Sequence, residues 1–154
     1  NINILLLKSE IFILEDKYDS AKEILTFINK IEPNNHVAYI QRATILSKHQ
    51  KHKKSIEILN ECLKHSEYKF EIWHLIAMEF LALNNFKKAL TYFKLCAGNE
   101  PTDDQILYNL IYCIDNIKCH EEGLEILNEI LEKDPYNELI WLELGKQYLQ
   151  IKKK

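Results

Sequence analysis

The sequence predicts an all-α chain, a solenoid of antiparallel helix pairs with four full repeats plus the first helix of a fifth. Three observations carry this expectation. Small, apolar and ring-bearing residues recur at a constant spacing of 34. Leu, Ile, Glu and Lys dominate, residues that suit helices. Only three prolines and three glycines occur in 154 residues, far too few turn-formers for an all-β fold.

The recurrence is strict. Ala21, Ser55, Ala89 and Gly123 form a small-residue column at intervals of 34. Tyr18, His52, Phe86 and His120 form a ring-bearing column, Leu25, Leu59, Phe93 and Leu127 a large apolar one, and Pro33, Pro101 and Pro135 fall on the same lattice. Division into blocks 2–35, 36–69, 70–103, 104–137 and a partial 138–154 places Leu5, Tyr39, Trp73, Leu107 and Trp141 at the fourth position. The eighth holds Ser9, Ala43, Ala77, Ile111 and Gly145, and the eleventh Phe12, Leu46, Phe80, Ile114 and Tyr148.

This large–small–large pattern, with the small twentieth and large twenty-fourth positions and the late proline, resembles the tetratricopeptide repeat over essentially the whole chain. The resemblance implies a right-handed superhelix, read as one array spanning 1–154, and the overall style is similar to uncharacterised bacterial repeat proteins. A constant 34 disfavours the 35-residue pentatricopeptide RNA readers. Two positions depart from the pattern: Glu67 stands where the second block lacks its proline, and Ile111 is bulky at a small site.

Each element follows from spacing. In every block the first helix carries positions 4, 8 and 11 on one face, and the second carries 17, 20, 24 and 27 on one face. Small residues at 8 and 20 allow close helix crossing while the large ones fill the flanks. Gly145, in mid-helix, is therefore expected at such a crossing. Block 2–35 opens on Ile2-Asn3-Ile4-Leu5-Leu6-Leu7 and closes on Glu32-Pro33-Asn34-Asn35, where proline ends a hairpin. Block 104–137 closes likewise on Asp134-Pro135-Tyr136-Asn137. No hairpin buries its apolar face alone, so neighbours must stack.

The net charge is −3 with both signs mixed, so no basic stripe for nucleic acid is expected. The run Lys48–Lys54 reads as a solvated inter-helix turn, with a phosphate or anionic-lipid contact as the lesser alternative. No apolar run approaches the roughly 20 residues of a membrane span. The chain lacks an initiator Met and begins in a helical pattern, which suggests a piece of a longer protein and leaves an upstream signal open. Cys62, Cys96, Cys113 and Cys119 lack zinc-knuckle spacing, and free thiols fit a reducing cytoplasm.

No enzyme is expected. The dispersed glycines build no phosphate-cradling loop. Cys119-His120 are adjacent and so do not face each other, and His120 falls in the ring column, a packing assignment. His49, His52 and His65 lack a completing ligand, and Cys62 and Cys96 sit in a core column with Ile28 and Ile130. No cofactor and no metal are expected.

What the resemblance implies is binding. In such arrays the first helices line a concave groove, and peptides bind there through positions 2, 5, 6, 9, 12 and 13. The groove candidates on this chain are Gln41, Thr44, His74, Met78, Tyr108, Asn109, Tyr112 and Asp115. The two-carboxylate clamp of the chaperone-tail-binding subclass is missing, since Leu6/Glu10, Ile40/Thr44 and His74/Met78 occupy its first pair. The expected function is a scaffold taking a protein or peptide segment, with no nucleic-acid or membrane partner. The alternative is self-assembly through the last helix, with Leu139, Trp141, Leu142 and Tyr148 as the pairing face and a homodimer as the product.

Overall fold

The computed structural model describes residues 1–99 and 103–153, the side chain of Asn99 excepted. Pro101 lies outside the described residues. The described chain is all helical, in the order α1 (Ile2–Leu14), α2 (Tyr18–Ile31), α3 (His36–Lys48), α4 (His52–His65), α5 (Lys69–Ala82), α6 (Phe86–Asn99), α7 (Asp104–Ile117), α8 (His120–Lys133) and α9 (Glu138–Lys152). The helices pair as a solenoid of hairpins. Two compact units divide them, Asn1–Ile72 and Trp73–Lys154.

The helix starts reproduce the lattice. Tyr18, His52, Phe86 and His120, the ring column, are the first residues of the four second helices. Asn1, Asn35, Asp103 and Asn137 cap the first helices, their side chains accepting from the N–H of Asn3, Ala38, Ile106 and Ile140. Such caps satisfy donors that the helix leaves orphaned. The exception is α5, which begins at Lys69 without an Asn or Asp before it. It follows the block that lacks proline at Glu67; there Ser66 Oγ accepts from the Tyr68 N–H at 3.1 Å instead.

The turns between paired helices obey a lattice that composition does not reveal. Asp16, Gln50, Asn84 and Lys118, again 34 apart, all adopt left-handed φ of 55–61°. In the first three the following amide closes onto the preceding helix, as in Lys17 N–H to Phe12 O at 2.8 Å and Lys51 N–H to Leu46 O at 2.9 Å. This bond satisfies a carbonyl at the helix end.

The predicted core columns are buried. Ala21, Ser55, Ala89 and Gly123 lie inside, as do Leu25, Leu59, Phe93 and Leu127. At the α3–α4 crossing the Ser55 hydroxyl donates to the Ala43 carbonyl at 3.0 Å, joining positions 20 and 8 directly. In the first unit Leu6, Ile13, Ala21, Leu25, Ile28, Ala38 and Ile45 form a buried cluster, with Phe12 and Tyr18 packed against it. In the second, Ile76, Phe93, Leu107, Leu110, Leu127 and Ile140 are fully or almost fully buried.

One placement differs from expectation. Gly145 sits at no crossing: a Cβ built there would meet nothing within 4 Å. Its close-approach role needs a second helix packed over α9, which the described residues do not supply.

Candidate functional site

Six of the eight groove candidates lie in the second unit, on α5 and α7. Tyr108, Tyr112 and Asp115 follow at intervals of four and three, so they share one face of α7. Both tyrosines are more than half exposed, at 57% and 52%. Tyr112 also sets its edge on Phe86 of α6, with ring centroids 5.8 Å apart. It therefore packs adjacent hairpins and presents a surface at once. Asn109 donates its side-chain amide to Met78 Sδ at 3.6 Å, which ties α7 to α5. Met78 remains 40% exposed. His74 is half-buried, tilted against Phe93 at 6.3 Å.

Below Tyr112 the face turns polar. Asp115 accepts from Gln147 Nε2 at 2.9 Å, and the same amide donates to Glu143 Oε1 at 2.8 Å. Gln147 Oε1 faces His120 Nδ1 within hydrogen-bond distance. Gln147 is 1% exposed, so its amide is a buried hub joining α7, α8 and α9. A cleft of about 420 Å³ opens beside it, lined by Asp115, Lys118, His120, Glu143, Lys146 and Gln150 as well. His120 is thus a polar partner at the cleft wall, contrary to its assignment to the packing column. Repeat averaging hid this, because the other three members of its column, Tyr18, His52 and Phe86, are rings too. The available signal was the polar set Lys146, Gln147 and Gln150 at positions 9, 10 and 13 of the last block.

The two candidates on α3 belong to the first unit. Gln41 is buried and donates Nε2 to the Leu6 carbonyl at 3.0 Å, so it bridges α1 and α3 rather than facing a ligand. Thr44 is half-buried and returns its hydroxyl to the Ile40 carbonyl at 2.8 Å. A cluster that spacing did not suggest gathers at the start of α3. His36 Nδ1 lies 2.8 Å from Ser66 Oγ and 3.7 Å from Cys62 Sγ, and its Nε2 lies 3.4 Å from Glu71. Since Ser66 also takes the Tyr68 amide, this network fastens the turn into α5.

Burial raises three thiols. Cys62 is pushed up to about 11 by desolvation and secondarily by Glu71, Cys96 to about 12 by desolvation and then Asp103, and Cys113 to about 11 by desolvation. These thiols stay protonated and act as small apolar groups. Cys119 is exposed. His49 bonds its Nδ1 to the Ile45 carbonyl at 2.8 Å and His52 its Nε2 to Gln50 at 3.2 Å. Among the described residues no group of three or more His, Cys, Asp or Glu could hold a metal ion, and no helix is long and apolar enough to cross a membrane.

On α9, Trp141, Leu142 and Tyr148 are exposed, at 57–60%, and Leu139 is half-buried. Trp141 donates its indole N–H to the Pro135 carbonyl at 2.8 Å, which fixes the ring against the preceding turn.

Residues 70–103, one full block, match the family model for the tetratricopeptide repeat. That block is a tetratricopeptide repeat, and the chain as a whole is similar in fold to a solved protein of that kind. Solved structures of the same fold agree along nearly its whole length. A MamA fragment from Desulfovibrio magneticus RS-1 is similar with a TM-score of 0.72 at 17% identity, covering 98% of this chain and 85% of that one. YrrB, described as a TPR protein with an unusual peptide-binding site, gives 0.71 at 14% identity, covering 96% and 76%. The Naa15/Naa10 structure bound to HypK-THB gives 0.70 at 18%, covering 96% of this chain but only 22% of that one. No curated protein matches the sequence significantly. The tetratricopeptide repeat is generally an interaction fold rather than an enzyme.

Proposed function

We propose that this chain is a protein-interaction scaffold that takes an extended peptide segment across α5, α7 and α9 of its second unit. The observation that supports this reading is the exposed row of Met78, Tyr108 and Tyr112, with Asn109 between them and Asp115 at its end. Flat rings supply contact area at little entropic cost, and side-chain amides can bond a peptide backbone. The polar cleft around Gln147 would receive a charged side chain where the row ends. YrrB, of similar fold, is described as binding peptides, which makes a peptide the natural ligand class.

The test is selection of random displayed peptides on the intact chain, followed by titration against a Tyr108→Ala, Asn109→Ala, Tyr112→Ala triple variant. Enriched peptides should lose at least about tenfold in affinity, the loss expected when anchor residues are truncated. Helicity should be retained. Peptides that bind the triple variant undiminished would remove the assignment.

A second reading rests on the exposed Trp141, Leu142 and Tyr148 of α9, an apolar face that could pair two copies. Light scattering over a range of concentrations separates the two. A monomer at every concentration removes pairing, whereas a dimer that Trp141→Glu dissociates would establish it.

A further inference from the structure

A cleft of about 390 Å³ lies in the first unit among α2, α3 and α4. Its floor is apolar, made by Leu25, Ile45, Leu46 and Ile58. Leu25 and Ile45 are buried, while Leu46 and Ile58 remain half-open to solvent. Its rim carries Lys22 from α2, Arg42 from α3 and Lys51 from the turn before α4. No carboxylate lines it, and none of the ion pairs found among the described residues involves these three cations.

Arg42 is the single arginine of the sequence. Its guanidinium lies over the Tyr39 ring, 5.7 Å from the ring centre, and among the described residues it has no salt-bridge partner. The planar guanidinium fork matches a carboxylate bidentately. The local charge has the same sense. Residues 36–69 hold seven Lys and Arg against three Glu, a net +4, in a chain whose total is −3. The α3 residues that enter the cleft, Arg42, Ile45, Leu46 and His49, lie on the side of that helix opposite Ile40, Thr44 and Ser47, the groove positions. This site is therefore independent of the peptide face on α5, α7 and α9.

We propose that this cleft is a second docking site, for an acidic protein segment that inserts a large apolar side chain between flanking carboxylates. The floor takes the apolar side chain and excludes water, and the three cations take the acids on either side. A cleft above roughly 300 Å³ is in the range that holds a ligand of this size. Phosphate-rich partners would leave the apolar floor unused, which is why an acidic, apolar peptide is the better complement.

The probe is a fluorescein-labelled dodecapeptide repeating Asp-Leu-Glu-Phe, titrated by anisotropy into the intact chain. Controls replace its acids by Asn and Gln, or by Lys. The acidic peptide should bind saturably. Its affinity should fall at least about tenfold with Arg42→Glu, fall several-fold with Lys22→Glu or Lys51→Glu, and weaken with added salt. The Tyr108, Asn109, Tyr112 alanine triple should bind it as the wild type does, so failure of either site is seen separately. Lys22 and Lys51 are exposed and their reversal should leave helicity unchanged, so the test survives if Arg42→Glu does not fold. Absence of binding, equal binding of the neutral peptide, or indifference to Lys22→Glu and Lys51→Glu would each overturn the proposal. So would displacement of the peptide by lauric acid at matched concentration, which would assign the cleft to a small amphiphile. A salt-sensitive dimer that excludes the peptide would assign it to a second copy.

Discussion

Gly123 and Ile114 meet across the hairpin of α7 and α8 so closely that a Cβ on Gly123 would stand 2.6 Å from Ile114 Cγ2. The fourth block is the one with a bulky residue, Ile111, at its small eighth position, and it alone has glycine at the twentieth. Gly123→Ala should therefore destabilise the chain by about 1–2 kcal/mol, because overpacking outweighs the helix propensity that alanine restores. Ile114→Ala in the same background should cost less than it does alone. A double-mutant cycle by urea denaturation reads the coupling; strict additivity would show the two residues independent.

Ala89 occupies the same column in α6 and is fully buried. Ala89→Leu should lower stability by about 1–3 kcal/mol through overpacking. An unchanged melting temperature would mean that position 20 does not mark a crossing there.

Gly145 gives the opposite outcome. With nothing within 4 Å of its added Cβ, Gly145→Ala should raise stability by up to about 1 kcal/mol. A loss would reveal a close neighbour of α9.

Gln147 holds two carboxylates, Asp115 and Glu143, from one buried amide. Gln147→Leu should cost about 1–3 kcal/mol by leaving the buried Glu143 without this donor. Gln147→Glu should cost more, since a third carboxylate replaces the donor. Urea midpoints for the two variants test the order, and a milder effect for the glutamate would contradict it.

The buried thiols set a reactivity pattern and a pH limit. In the folded chain a thiol-disulfide reagent should modify Cys119 rapidly and Cys62, Cys96 and Cys113 only after denaturation. Their folded values of about 11, 12 and 11 lie above the unfolded one. Their contribution to stability is thus fully present below about pH 8.5 and is lost as pH rises towards the folded values. Replacing all three by Ala should flatten that alkaline loss.

The periodic part of this fold was legible in sequence because burial repeats with the backbone. Ala21, Ser55, Ala89 and Gly123 declare the crossings, and Tyr18, His52, Phe86 and His120 mark the helix starts. What stayed hidden depends on side-chain direction. Gln41 shares a column with Leu75 and Asn109, yet it turns inward to the Leu6 carbonyl. His120 shares a column with Phe86 but reaches Gln147, 27 residues on. His36 meets Ser66 and Glu71 only because α3 to α5 fold back on one another. A column average erases such individual choices. The exposed row of Tyr108, Tyr112 and Met78 was readable because exposure follows helix phase; the cationic cleft was not, because its wall is assembled from three helices.

The left-handed turn residues Asp16, Gln50, Asn84 and Lys118 have four different side chains on one backbone geometry. None is glycine, so each turn accepts a small strain, of order 1 kcal/mol for Gln50 and Lys118. The same bend is thus made with four different side chains. Within this one chain the side chain at the corner varies while the backbone geometry stays the same. Lys118 shows the use of that variety: its backbone makes the corner, and its side chain supplies a charge to a cleft wall. New recognition chemistry can thus be recruited at the corners of the array without renegotiating its architecture.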